Sequence, residues 1–232
     1  MARGRLHDSQ TVWLFDLDDT LHDANSASMR EIRSAMGEYI VRELGVSEAE
    51  SNALRTRYWL RYGATLLGLV RHHGVKAAHF LHHTHVLPGL ENRVRGHAAD
   101  LATLKRLPGR KFILTNAPAA YAGRVIDALG MRSLFEGMFC IEDMHMFGEL
   151  RPKPDARMFR AMAARLGVHP SRCVLVEDTL MHQKAARAVG MGTVWMQGWL
   201  GMESTAQAHR PGRLRRRPAY VDWRVRRLRQ LL

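Results

Sequence analysis

Three carboxylates fall within four residues at Asp16, Asp18 and Asp19, directly after the apolar run 12–15 in V-W-L-F-D-L-D-D-T-L. In an extended chain alternate residues share a face, so Asp16 and Asp18 point the same way across Leu17. Like charges this close repel unless a cation lies between them or one carboxyl stays protonated. The residues alone leave two readings open: an acidic turn closing a strand, or a site that handles a cation or a proton. Two further polar pairs follow stretches that read as strands, Thr115-Asn116 after 111–114 and Glu177-Asp178 after the apolar 173–176. Three such coincidences favour a site over a turn.

The elements that would carry these residues can be read from the pattern. The run 12–15 is short, apolar and rich in β-branched and aromatic side chains, as suits a strand covered on both faces. A small polar stretch follows, with Asn25 and Ser26 as candidate helix caps. Met29, Ile32, Met36, Tyr39, Ile40 and Leu44 then recur at helical spacing up to Gly45. Ser47 with Glu50 reads as a capping box, opening a helix that carries Leu54 and Tyr58 before Gly63. Two more helices are expected over 65–70 and 77–86, separated at Gly74. Residues 25–87 therefore form a helical block placed after the first strand.

Beyond Pro88-Gly89 the pattern alternates. Helices are expected at 97–107, 118–129, 154–166 and 180–189, and strands at 111–114, 138–141, 173–176 and 193–196. Alternation at these lengths predicts an α/β fold, a doubly wound, Rossmann-like parallel sheet with right-handed crossovers. Residues 1–22 and 95–232 would form the α/β core and 23–94 an inserted helical cap. In such sheets ligands bind at the carboxyl ends of the strands, where all three polar pairs lie.

Composition narrows the setting. A chain of 232 residues, 46% of them hydrophobic, can bury a sizeable core. No run approaches the roughly twenty apolar residues of a membrane span, and residues 1–10 lack the apolar centre of a secretory signal. Two cysteines, Cys140 and Cys173, argue against a disulfide framework and for a reducing, cytoplasmic setting. The formal charge of +13 is concentrated near the end, where residues 205–232 hold nine arginines against Asp222 alone. Such a tail could hold nucleic acid or lie as a solvated face. Val225, Leu228 and Leu232 recur at helical spacing, so 219–222 reads as a last edge strand and 223–232 as a closing helix with its arginines outward.

The ordered set F-D-L-D-D-T-L, I-L-T-N, R-P-K-P and L-V-E-D resembles the four motifs of the haloacid dehalogenase superfamily, over nearly the whole chain from Val12 onward. More narrowly, W-L-F-D-L-D-D-T-L, Y-G-A-T-L, L-P-G-R-K-F-I-L-T-N-A and Y-V-D-W resemble its pyrimidine 5′-nucleotidase branch. The resemblance implies a magnesium-dependent phosphatase acting on a small phosphomonoester, with an aspartyl-phosphate intermediate. Asp16 would be the nucleophile and Asp18 the general acid and base. Thr115, the backbone of Asn116, and Lys153 would bind the phosphoryl oxygens. Asp16, the Asp18 carbonyl and Asp178 would hold Mg2+, with Asp19 and Glu177 in support. His22 stands where many relatives have tyrosine and His182 where asparagine is frequent. Both fall outside the implied reacting set, so they are expected to bear on specificity more than on activity.

Alternatives from other classes remain: a phosphatase for phosphoglycolate or a sugar phosphate, or a nucleic-acid-binding protein using the arginine-rich tail. The cap histidines His72, His73, His79, His82, His83 and His85 include an i,i+4 pair, His79 and His83, with zinc-like spacing. No cysteine or carboxylate completes that site in sequence, so a surface or pocket role is the expectation. Tyr58, Trp59 and Tyr62, beside Arg57 and Arg61, are flat groups able to stack on a base. The competing reading makes them cap core. The oligomeric state is not legible.

Overall fold

The computed structural model of the chain describes residues 9–199 and 217–232. Strand β1 (Val12–Phe15) is buried throughout. Its alternation sends Val12 and Leu14 into one apolar cluster and Trp13 and Phe15 into another, the pattern of a strand with helices on both faces.

After β1 the chain turns at Leu17, whose carbonyl accepts from Thr20 and Leu21 N–H, and Asp19 takes a left-handed φ of 56°. A single π-helical turn, Asn25–Met29, leads into α1 (Arg30–Leu44). Its caps lie upstream of the two expected: Asp19 accepts from the Asn25 N–H and Asp23 from the Ser26 N–H. A carboxylate reaching forward serves these first donors better than a side chain inside the turn. Helices α2 (Glu48–Tyr62), α3 (Thr65–His73) and α4 (Ala77–Thr84) complete the block. Ser47 caps α2 through the Glu50 N–H. Tyr39, Ile40, Leu54, Tyr58, Leu66, Leu69 and Phe80 form the block's interior, which is continuous with one face of the sheet.

Helix α5 (Ala98–Arg106) leads back to the sheet at β2 (Arg110–Leu114), followed by α6 (Ala119–Ala128) and β3 (Gly137–Phe139). The strand expected over 138–141 ends early because residues 141–144 wind into a 3-10 turn. A short antiparallel pair, β4 (His145–Met146) and β5 (Glu149–Leu150), had no signal in the sequence. Then come α7 (Ala156–Arg165), β6 (Cys173–Glu177), α8 (Leu180–Ala188) and β7 (Gly192–Met196). β8 (Trp223–Val225) is the last strand. The sheet order is β3-β2-β1-β6-β7-β8, and every neighbouring pair is parallel. α5 and α6 pack on one face, α7 and α8 on the other.

The tail differs in detail from the expectation. β8 begins four residues later than read, after Asp222, whose carboxylate accepts from the Thr193 N–H and from Arg187. The closing helix is one 3-10 turn, Leu228–Leu231. Val225, Leu228 and Leu231 are buried and Leu232 is exposed, since a tighter turn shifts the inward position by one residue. Arg210, Arg213, Arg215 and Arg216 lie outside the described residues. Among those described, no helix is long and apolar enough to cross a membrane, and both cysteines are free and buried.

Candidate active site

The register of β1 against β6 pairs Phe15 with Val176. The next residues, Asp16 and Glu177, therefore stand side by side at the carboxyl end of the sheet. Both are buried. Lys153 enters from the loop before α7, almost fully buried, with Nζ 2.7 Å from Asp16 Oδ1 and 2.6 Å from Glu177 Oε2. Asp178 follows on the same strand end, and carboxylate oxygens of Asp16, Glu177 and Asp178 all lie within 4.8 Å of one another. This is the one group among the described residues with three or more ligands that could hold a metal ion.

The charges in this cluster do not balance. Two buried carboxylates and a half-buried third face one lysine, so ionising all three would leave two negative charges uncompensated, and an unpaired buried charge is strongly unfavourable. Titration follows from that excess. Burial first, and Glu177 second, push Asp16 up to about 8, with Lys153 pulling the other way. Asp178 is pushed well above the usual carboxylate range by burial and then by Glu177. Burial also opposes ionisation of Glu177, yet Lys153 and then His182 hold it well below that range. For Lys153, burial works against the charge, but Asp16 and Glu177 outweigh it. A divalent cation would supply the missing compensation, and an all-oxygen donor set suits a hard ion such as magnesium. The residues present fit the ion.

Asp18 is held apart from this cluster. Its Oδ1 accepts from the Tyr121 hydroxyl at 2.8 Å and lies 2.9 Å from His22 Nε2. Tyr121 is donated by α6, and burial followed by the charge on Asp18 keeps its phenol protonated. Nothing in the sequence marks Tyr121 as a partner of Asp18. His22, expected outside the reacting set, lies directly on Asp18. An i,i+4 offset between His22 and Asp18 was the signal available. Asp19, expected in support of the metal, has its carboxylate on the backbone and side chain of Asn25.

Thr115 sits at the end of β2, buried, with its N–H on the Phe139 carbonyl and its Oγ1 accepting from the Ala117 N–H. The Asn116 side chain turns toward Lys153, donating to its carbonyl and accepting from its N–H, both at 3.0 Å. His182 Nδ1 lies 3.1 Å from Glu177 Oε2, a close electrostatic contact without hydrogen-bond alignment. The strand-end backbone is fixed as well: Gln183 donates to the Glu177 and Val194 carbonyls, and Trp195 to that of Asp178.

The helical block meets this site at the turn between α2 and α3. Gly63 stands against the Lys153-Pro154 segment, where a Cβ would come within 2.5 Å of Pro154 Cδ. Two of the cap aromatics expected to stack on a base, Tyr58 and Tyr62, have partners within the cap. Tyr58 is buried, with its hydroxyl 2.7 Å from His73 Nε2 and its ring packed on Gly68. Tyr62 is bonded to His72, and Arg57 and Arg61 lie over the Tyr58 and Tyr62 rings. His79 pairs with Tyr39 and with His83. Tyr58 is thus cap core, and the cap histidines with assigned partners serve chiefly as partners for tyrosines.

Comparison with known proteins adds four observations. The model of the haloacid dehalogenase-like hydrolase family matches residues 11–190. Phosphate metabolism protein 8 of Saccharomyces cerevisiae is 24% identical over 198 residues, covering 80% of this chain and 61% of that protein. Fructose-1-phosphate phosphatase YqaB of Escherichia coli is 34% identical over 80 residues, covering 34% of this chain and 40% of the relative. The chain thus spans less than two thirds of the length of either. A crystal structure of a HAD phosphatase from Thermococcus onnurineus superposes with a TM-score of 0.58 at 20% identity, covering 95% of each chain, which is a likeness of fold.

Proposed function

Because the chain belongs to the haloacid dehalogenase-like hydrolase family, we propose that it hydrolyses a small phosphomonoester through a covalent phosphoryl group on Asp16. The observation that carries this reading is the set of buried Asp16, Lys153 and Glu177 with half-buried Asp178 at one sheet edge, with Asp18 beside it on separate partners.

Each residue then has a part. An Asp16 carboxylate oxygen attacks phosphorus as the bond to the ester oxygen breaks, and protonated Asp18 gives its proton to the departing oxygen. Asp18, now a carboxylate, takes a proton from water. That water oxygen attacks phosphorus, the bond to Asp16 breaks, and inorganic phosphate leaves with Asp18 protonated again. Lys153 fixes the nucleophile and offsets negative charge on the phosphoryl oxygens as a point charge. Thr115 and the Asn116 backbone are the remaining phosphoryl contacts of the proposal. Asp16, Asp178 and the Asp18 carbonyl would hold Mg2+, with Glu177 assisting, and the ion would supply positive charge that orients the carboxylate and offsets the phosphate.

Residues 23–94 act in this reading as a cap over the core formed by 1–22 and 95–232, with the α2–α3 turn at Gly63 against the Lys153-Pro154 segment. The nucleotidase-like motifs put pyrimidine nucleoside monophosphates first among substrates. A sugar phosphate is the second reading, favoured by the burial of Tyr58 and by the fructose-1-phosphate phosphatase relative. The test is phosphate release from UMP, CMP, AMP, fructose 1-phosphate, glucose 6-phosphate and phosphoglycolate with magnesium present. Hydrolysis of at least one, abolished in Asp16→Asn, supports the reading. No release across the panel, or release that survives Asp16→Asn, overturns it.

A further inference from the structure

The two donors on Asp18 converge on one oxygen. Tyr121 O–H donates to Oδ1 from α6 at 2.8 Å, and His22 Nε2 meets the same atom at 2.9 Å from the loop after β1. Among the described residues nothing hydrogen-bonds Oδ2. Behind the first contact stands a third residue. Ser28 Oγ is 2.8 Å from the Tyr121 hydroxyl and 3.3 Å from the Ala24 carbonyl, so its one proton is shared between these two acceptors when the phenolic proton goes to Asp18.

The burial pattern separates a fixing shell from the group it fixes. His22, Ser28 and Tyr121 are buried, with His22 fully so, while a fifth of the Asp18 side chain remains exposed. His22 also carries a cost that packing alone does not explain. Its Nδ1 is buried with no hydrogen-bond partner among the described residues, and an orphaned buried nitrogen destabilises a fold. An aliphatic or phenyl side chain would fill the same space without that cost. What it would not supply is the contact with Asp18.

We propose that His22 and Tyr121 are positioning residues that pin Asp18 Oδ1, so that Oδ2 is the oxygen that exchanges the proton with the leaving group and with water. This rests on the phosphatase reading above. A carboxylate free to rotate would offer either oxygen, in several orientations, to a proton transfer that needs a distance of hydrogen-bond length. Pinning one oxygen from two directions removes that freedom. Neither residue touches substrate in this scheme; both act through Asp18.

The test is the dependence of rate on the leaving group. An alkyl phosphate releases an alkoxide that must be protonated as it leaves, whereas p-nitrophenolate needs no proton. In Tyr121→Phe and His22→Leu, kcat/KM for an alkyl phosphate should fall about tenfold or more, a part of the roughly hundred- to ten-thousandfold that a general acid contributes. For p-nitrophenyl phosphate, kcat/KM should stay close to wild type. His22→Gln, which retains a side-chain donor, should recover a large part of the loss, and thermal melting identifies any variant that has merely unfolded. Equal losses on both esters, or no loss on either, would overturn the proposal while leaving the phosphatase reading intact. Wild-type protein that hydrolyses neither ester would overturn both.

Discussion

Asn116 and Lys153, 37 residues apart in sequence, are joined by two hydrogen bonds that run between one side chain and one backbone: Asn116 Nδ2 donates to the Lys153 carbonyl and the Lys153 N–H donates to Asn116 Oδ1, each at 3.0 Å. The strand end of β2 thereby sets the height at which Lys153 enters the carboxylate cluster. Asn116→Ala removes both bonds, each worth about 0.5–1.5 kcal/mol. A shift of about 1 Å in a catalytic group can cost on the order of a hundredfold in rate. The expected result is a modest drop in melting temperature with a roughly ten- to hundredfold loss of kcat; unchanged kcat would remove Asn116 from the positioning of Lys153.

Gly63 has a φ of 77° and no room for a side chain, whereas Gly45, with a φ of 66°, has nothing within 4 Å of a would-be Cβ. A residue other than glycine in the left-handed region costs about 1–2 kcal/mol, so both alanine variants lose stability. Only Gly63→Ala also drives a methyl into Pro154, next to Lys153. Activity should fall in Gly63→Ala and hold in Gly45→Ala. Steady-state assays on the pair check this, and equal activity in the two would sever the α2–α3 turn from the site.

The excess negative charge predicts how stability depends on pH and magnesium. Asp16 is raised to about 8 by burial and Glu177, so between the ordinary carboxylate value near 4 and about 8 the folded state binds more protons than the unfolded state. Stability from this group is then lost as pH rises through that window. Asp178 acts in the same direction, while Glu177, held low, contributes stability that is lost only as pH falls into the acid range. In chelator, the wild type should lose melting temperature relative to Asp16→Asn as pH rises from 5 to 8. Magnesium should restore it, by more at pH 8 than at pH 5, and calcium less well than magnesium. A magnesium effect independent of pH would contradict the charge account.

Removing residues 223–232 takes away β8 and the buried Val225, Leu228 and Leu231. Each buried aliphatic side chain contributes about 1.5–3 kcal/mol, a large share of a typical domain stability of about 5–15 kcal/mol. The truncated chain should melt markedly lower or aggregate. A truncation that melts like the full chain, but loses a strongly salt-dependent affinity for RNA or DNA, would transfer the tail to nucleic-acid binding.

The sequence made the central layer legible because each part had a local signature. Val12 to Phe15 is apolar with no polar break, and Asp16, Thr115 and Glu177 each close such a run, so the strand ends and the sheet edge could be named. The Ser47 cap and the glycines at 45, 63 and 74 marked helix ends in the same local way. What escaped was decided by partners far along the chain. Tyr121 sits 103 residues from Asp18, and nothing in A-A-Y-A-G marks it as a donor to a carboxylate. Tyr58 reads equally well as a stacking platform or as core until Gly68 and His73 are seen against it. The β4–β5 pair has two residues per strand, too few for any alternation to register. At the tail, Leu232 fitted an α-helical period, and a 3-10 turn placed Leu231 inside instead.

The claim on which the rest depends is that Asp16 carries the phosphoryl group. Acid-quenching the enzyme during turnover and reducing with borohydride converts an acyl phosphate to an alcohol, so a phosphorylated aspartate is read by mass spectrometry as homoserine. Homoserine is expected at position 16, formed only when substrate and magnesium are both present. An unmodified Asp16 alongside undiminished turnover, or the modification at any other carboxylate, would contradict the claim.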